Sequence, residues 1–67
     1  MDEMTRDALN KAYQAQCLNS YKVLSQSLLE AQGDPTEEAL AQERFQKALA
    51  HAKRTHSLAL ELAGLND

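Results

Sequence analysis

The sequence predicts an all-α fold, a two-helix antiparallel hairpin, and three observations carry that prediction. The interior holds one strong cluster of helix breakers, Gly33-Asp34-Pro35, which divides the 67 residues into two near-equal stretches. Within each stretch apolar residues recur at spacings of three and four. Helix stop and start signals stand back to back at the division, so the connection is too short for anything but side-by-side, antiparallel helices. The chain therefore reads as one module, residues 1–67, with a helix over 3–32, a turn at 33–34 and a helix over 35–63.

At 100° per residue, Leu9, Tyr13, Cys17, Tyr21, Leu24, Leu28 and Ala31 fall on one side of the first helix and form its seam against the second. Cys17, in mid-seam, acts there as a small hydrophobe. Tyr13 and Tyr21 are expected to pack their rings into the seam and bring their hydroxyls to its edge. A weaker set, Met4, Ala8, Ala12, Ala15, Leu18, Val23 and Leu29, lies around the other side. It is too apolar for a purely solvated surface and implies a second contact.

The turn follows from residue chemistry. Gly33 can adopt positive φ and close the first helix, while Asp34 can cap the second with Pro35 at its first position and Glu37 three residues past the cap. Glu37 and Glu38 are first-turn acids that favour a helix amino terminus.

The main stripe of the second helix is Ala41, Phe45, Ala48, Leu49, Ala52, His56, Ala59, Leu60 and Ala63. Its small side chains let the backbones approach closely. Gly64 offers a left-handed cap, with Leu65 beyond it in the usual place for a contact back onto the last turn. Turned by about 130° from the stripe, Leu40, Arg44, Lys47, His51, Arg54, Leu58, Leu62 and Leu65 make a second face, basic in the middle and leucine-rich at its end. A lone hairpin leaves such a patch in water, so the partner-binding residues are expected to be Leu58, Leu62 and Leu65, flanked by Arg54 and His51, with Leu40 at the other end.

Composition bounds the function. A chain of 67 residues buries only about 60% of its unfolded surface and has no disulfide pair to support it, so completion by a partner or by self-association is expected. Seven Lys and Arg against ten Asp and Glu give a net charge of −3, which carries no nucleic-acid footprint. The lone cysteine and the amino-terminal Met1-Asp2-Glu3-Met4, without a basic region or apolar run, fit a cytoplasmic protein, and nothing approaches a membrane span. His51 and His56 are five apart, about 140° around a helix, and so do not form the i, i+4 pair that ligates a metal. His56 reads as a packed histidine with its tip at the edge of the seam. No phosphate loop, nucleophile elbow or cysteine cluster is present, so no catalytic, cofactor or metal site is expected.

The overall plan is an acidic hairpin with a Gly33-Asp34 turn and a second helix reading Gln42-Glu43-Arg44, Lys47-Ala48-Leu49 and then Leu58 to Leu65. It resembles the small E-type co-chaperones of bacterial type III secretion needle subunits. The resemblance implies a non-catalytic cytoplasmic protein that binds a larger helical-repeat chaperone and helps hold the needle subunit unpolymerised. Lys53-Arg54-Thr55-His56 depart from it, standing where a more aliphatic stretch is expected. Two further classes fit the same residues: a self-associating four-helix-bundle dimer and a small adaptor or inhibitor protein.

Overall fold

The computed structural model describes residues 2–65 and contains two helices, α1 (Asp2–Ala31) and α2 (Pro35–Leu62). The all-α hairpin is as the spacing predicts. Helix α1 starts and stops one residue earlier than expected, and α2 stops at Leu62, with Ala63 serving as its cap.

The earlier stop of α1 has a local cause. Gln32 leaves the helical region with φ 52°, and Gly33 follows at φ 81°, so the left-handed conformation expected of the glycine begins one residue before it. A left-handed non-glycine residue costs roughly 1–2 kcal/mol. In return, Gln32 N–H donates to Leu29 O at 3.3 Å and Asp34 N–H donates to Ala31 O at 2.9 Å, which satisfies carbonyls that the end of α1 would otherwise leave open. Asp34 then caps α2 from an extended conformation, its Oδ1 accepting from Thr36 N–H at 2.9 Å and from Glu37 N–H at a long 3.5 Å, with Pro35 in the first turn. Since the Asp34 amide is already committed to Ala31, the reciprocal half of a capping box, in which Glu37 would accept that proton, is replaced by a bond to the preceding helix.

Between the helices the core is thin. Among the described residues the buried side chains are Ala41 (3% exposed), Ala52 (1%) and Leu65 (6%), and no large side chain is wholly enclosed. The α1 seam consists of half-buried Leu9, Tyr13, Cys17, Ser20, Leu24, Ser27, Leu28 and Ala31. Tyr21, expected in it, is 63% exposed. Ala41, Ala48 and Ala52 bring the backbones close, and near their level the narrow gap admits the Ser20 side chain while a phenol ring stays outside. The α2 stripe is as expected from Ala41 to Leu60, with Glu38 added half-buried at its start, while Ala63 is exposed.

The far end is closed by a second device. Gly64 takes φ 75°, its N–H donates to Glu61 O at 3.0 Å, and Leu65 N–H donates to Leu60 O at 2.8 Å. This is a Schellman motif, which folds the residue after the glycine back over the last turn. Arg6 of α1 completes it by donating from Nη2 to Leu65 O at 3.0 Å. Helix α2 has no basic residue in its last turn, so this guanidinium is the cation that faces its negative end.

The result is a rod. The Cα envelope measures 48 × 15 × 11 Å, with a radius of gyration of 15.2 Å. A globular chain of this length has a radius of gyration of roughly 11 Å. Two helices side by side thus leave most of each cylinder facing outward.

Candidate functional site

Small side chains on both helices leave a groove along one side of the seam. It consists of two adjoining recesses of about 240 and 310 Å³ that share Asn19, Ser20 and Ala48. Val23, Leu24, Ser27, Ala41, Arg44 and Phe45 line the recess nearer the turn. Ala15, Gln16, His51 and Ala52 line the other. From Ala15 to Ser27 the floor follows α1 for roughly 18 Å at 1.5 Å per residue.

The structure divides the residues that the sequence assigns to partner binding. Leu62 is 80% exposed, Leu58 49% and Leu40 40%. His51 is exposed and lines the groove, and Arg54 is exposed one turn further along the same face. Leu65 must be corrected. It is buried, because the 2.8 Å bond from its N–H to Leu60 O folds it back over the helix end and out of the exposed face. Helical spacing put it beside Leu58 and Leu62, but the chain has left the helix before it reaches this residue. Leu65 holds the hairpin's end together and has no surface to offer a partner.

Arg44 also lines the groove, and neither it nor Arg54 has a hydrogen-bonded or ionic partner among the described residues. Lys47 on the same face is paired with Glu43 at 3.0 Å. From Arg44 to Leu60 the sequence contains Arg44, Lys47, Lys53 and Arg54 and no Asp or Glu, although the chain as a whole is acidic. Arg44 lines the apolar recess and Lys47 and Arg54 share its face of α2, whereas Lys53, nine residues from Arg44, lies on the opposite side of the helix.

Elsewhere in the seam a small polar cluster replaces apolar contact. His56 Nε2 lies 2.8 Å from Asn10 Oδ1, an acceptor to which the ring donates in the tautomer that carries its proton on Nε2. The same ring packs against Tyr13 with centroids 4.9 Å apart and planes at 37°. Tyr13 is in turn hydrogen-bonded to the Cys17 side chain, and that bond, with some loss of hydration and a Coulombic contribution from Cys17, raises the phenol above its ordinary pKa. His56 is therefore a packed histidine at the seam's edge, and Cys17 a half-buried free thiol within it. Among the described residues no three His, Cys, Asp or Glu side chains stand together as a metal site would require, and no helix is long and apolar enough to cross a membrane.

Sequence reasoning missed the α1 wall of the groove and the part played by Arg6. The wall was legible in one pattern, the alternating three- and four-residue steps Cys17, Ser20, Leu24, Ser27 and Ala31, which read as a heptad seam with two serines in it. Nothing local to Arg6 marks a residue that meets the carbonyl of Leu65, fifty-nine positions away. Compared with known protein families, curated proteins and solved structures, the chain matches none.

Proposed function

We propose that this chain is a non-catalytic protein-binding module whose working surface is the groove and the leucine-bearing face of α2 beside it. The observation that carries this reading is the amount of surface left in water. The chain exposes 5335 Å², whereas a compact monomer of 7.4 kDa exposes roughly 4,200 Å². The excess is of the order that one partner contributes to a standard protein interface, about 800 Å². Exposed Val23, Leu58 and Leu62 border that surface, and a leucine fully buried on binding contributes about 1.5–3 kcal/mol.

Within this reading, the finer function is that of a cytoplasmic co-chaperone that binds a larger helical-repeat chaperone and helps keep a type III secretion needle subunit unpolymerised. The turn position and the residues of α2 that resemble that family support it. The test is affinity capture with the intact chain beside a Leu58→Asp/Leu62→Asp variant, with bound proteins identified by mass spectrometry. The expected result is one stoichiometric partner, a helical-repeat protein carrying a needle subunit, lost by about a hundredfold or more in the variant while helicity is unchanged. A partner of another kind would remove the co-chaperone function and keep the binding module. A chain that captures nothing and is monomeric alone would remove both.

A further inference from the structure

We propose that the groove receives a single helix of a partner protein, apolar along one stripe and acidic on its flanks. This rests on the protein-binding reading above and specifies the chemistry of what is bound. The floor is built from Ser20, Ala48 and Ala52, small enough for another helix to approach closely, and its roughly 18 Å length matches three to four helical turns. Arg44 lines the groove and Arg54 lies further along the same face of α2, both without anionic partners among the described residues, while Lys47 between them is held by Glu43. Glutamates beside the partner's apolar stripe would supply the missing countercharge.

Charge also decides against the two competing occupants. A second copy of this chain seated symmetrically on the same groove offers no countercharge: a two-fold axis across the helices opposes residues 44–54 to themselves, and one along the helices opposes them to residues 15–27 of α1, which contain Lys22 and no Asp or Glu. An anionic membrane matches the charge but is flat, and would leave the recesses between the helices unfilled. A helix about 10–12 Å across satisfies both charge and shape.

The experiment uses the full chain and two synthetic helices of about eighteen residues, each with a leucine stripe at i, i+3, i+4 and i+7. One has glutamate on both flanks and the other has lysine. Affinities are read by anisotropy of the labelled peptides, and the site by amide shifts of the isotope-labelled chain. The glutamate helix should shift Asn19, Val23 and Ala48 and bind at least about tenfold more tightly than the lysine helix, a gap that narrows as salt rises. Arg44→Glu/Arg54→Glu should reverse the preference, and Val23→Asp, at an exposed position, should weaken both complexes without loss of helicity. Equal affinities, failure of the glutamate helix to bind, or shifts confined to Leu18 and Leu29 on the far side of α1 would overturn the proposal. So would groove amides that shift as the chain alone is concentrated, the mark of a dimer, or that broaden only with phosphatidylserine vesicles. If the glutamate helix fails while the captured partner still depends on Leu58 and Leu62, only this inference falls; if that dependence fails too, the protein-binding reading falls with it.

Discussion

The two ends of the hairpin solve the same problem by different means. At the turn end the backbone itself joins the helices, and Asp34 serves both, its amide closing α1 on Ala31 O and its carboxylate capping α2 at Thr36 N–H. At the open end no covalent link exists. There the helices are held by burial of Leu65 and by the Arg6 guanidinium on the Leu65 carbonyl. Chain connectivity makes the first end cheap to close, so a single side chain sets its geometry; the second needs real apolar burial. The deepest large side chain of the described residues accordingly lies at the open end, outside both helices.

Mutations at the two ends should therefore differ in size. Leu65→Ala should have the largest effect, about 2–3 kcal/mol, as for deletion of a well-buried leucine side chain. It should also free amide protons near Arg6 and Leu60 to exchange while those near the turn stay protected. Uniform loss of protection along both helices would show that the ends are not separately held. Asp34→Ala should lower stability by about 1 kcal/mol, the usual worth of a side-chain cap.

Arg6→Met is the matching change at the open end. It keeps much of the stem and removes the charge, and should cost somewhat less than about 1 kcal/mol, since the bond it breaks is only part-buried and is screened. This loss and that of Asp34→Ala should both shrink in high salt, since each variant removes a charge from a helix end, and thermal melts at two ionic strengths would read this. The smallest effect is a gain. Gln32→Asn places a residue that tolerates positive φ where φ is 52° and should stabilise the hairpin by a few tenths of a kcal/mol. An unchanged or lowered melting temperature would show that Gln32 carries little strain.

How much was legible in the sequence follows the same division. The turn end could be read almost residue by residue, because Gly33, Asp34 and Pro35 act through local backbone geometry that depends on little else. The main stripe of α2 was equally readable, since alanine at helical spacing implies close approach whatever lies opposite. The open end was read in two incompatible ways. The motif Gly64-Leu65 pointed to a contact back onto the helix, while extending the helical period made Leu65 part of an exposed face; the backbone hydrogen bonds decide for the first. The seam of α1 was legible only in outline. Whether Ser20 or Tyr21 faces the partner helix depends on interhelical distance, which is set by the alanines of α2 and cannot be seen from α1 alone. The groove shares that origin, being what close approach leaves when serine and alanine meet. It exists only when both strings of residues are placed together.

The shallow core formed by Ala41 and Ala52 has a calorimetric consequence. The heat-capacity increase on unfolding comes from apolar surface newly exposed to water, and alanine methyls already near the surface add little to it. Both the enthalpy and the curvature of stability with temperature should therefore be small, giving a gradual melt in place of a sharp one. An occupant of the groove would bury the missing apolar area, raising the enthalpy and steepening the transition as well as moving its midpoint. The breadth of the melt would then report directly on whether the groove is filled.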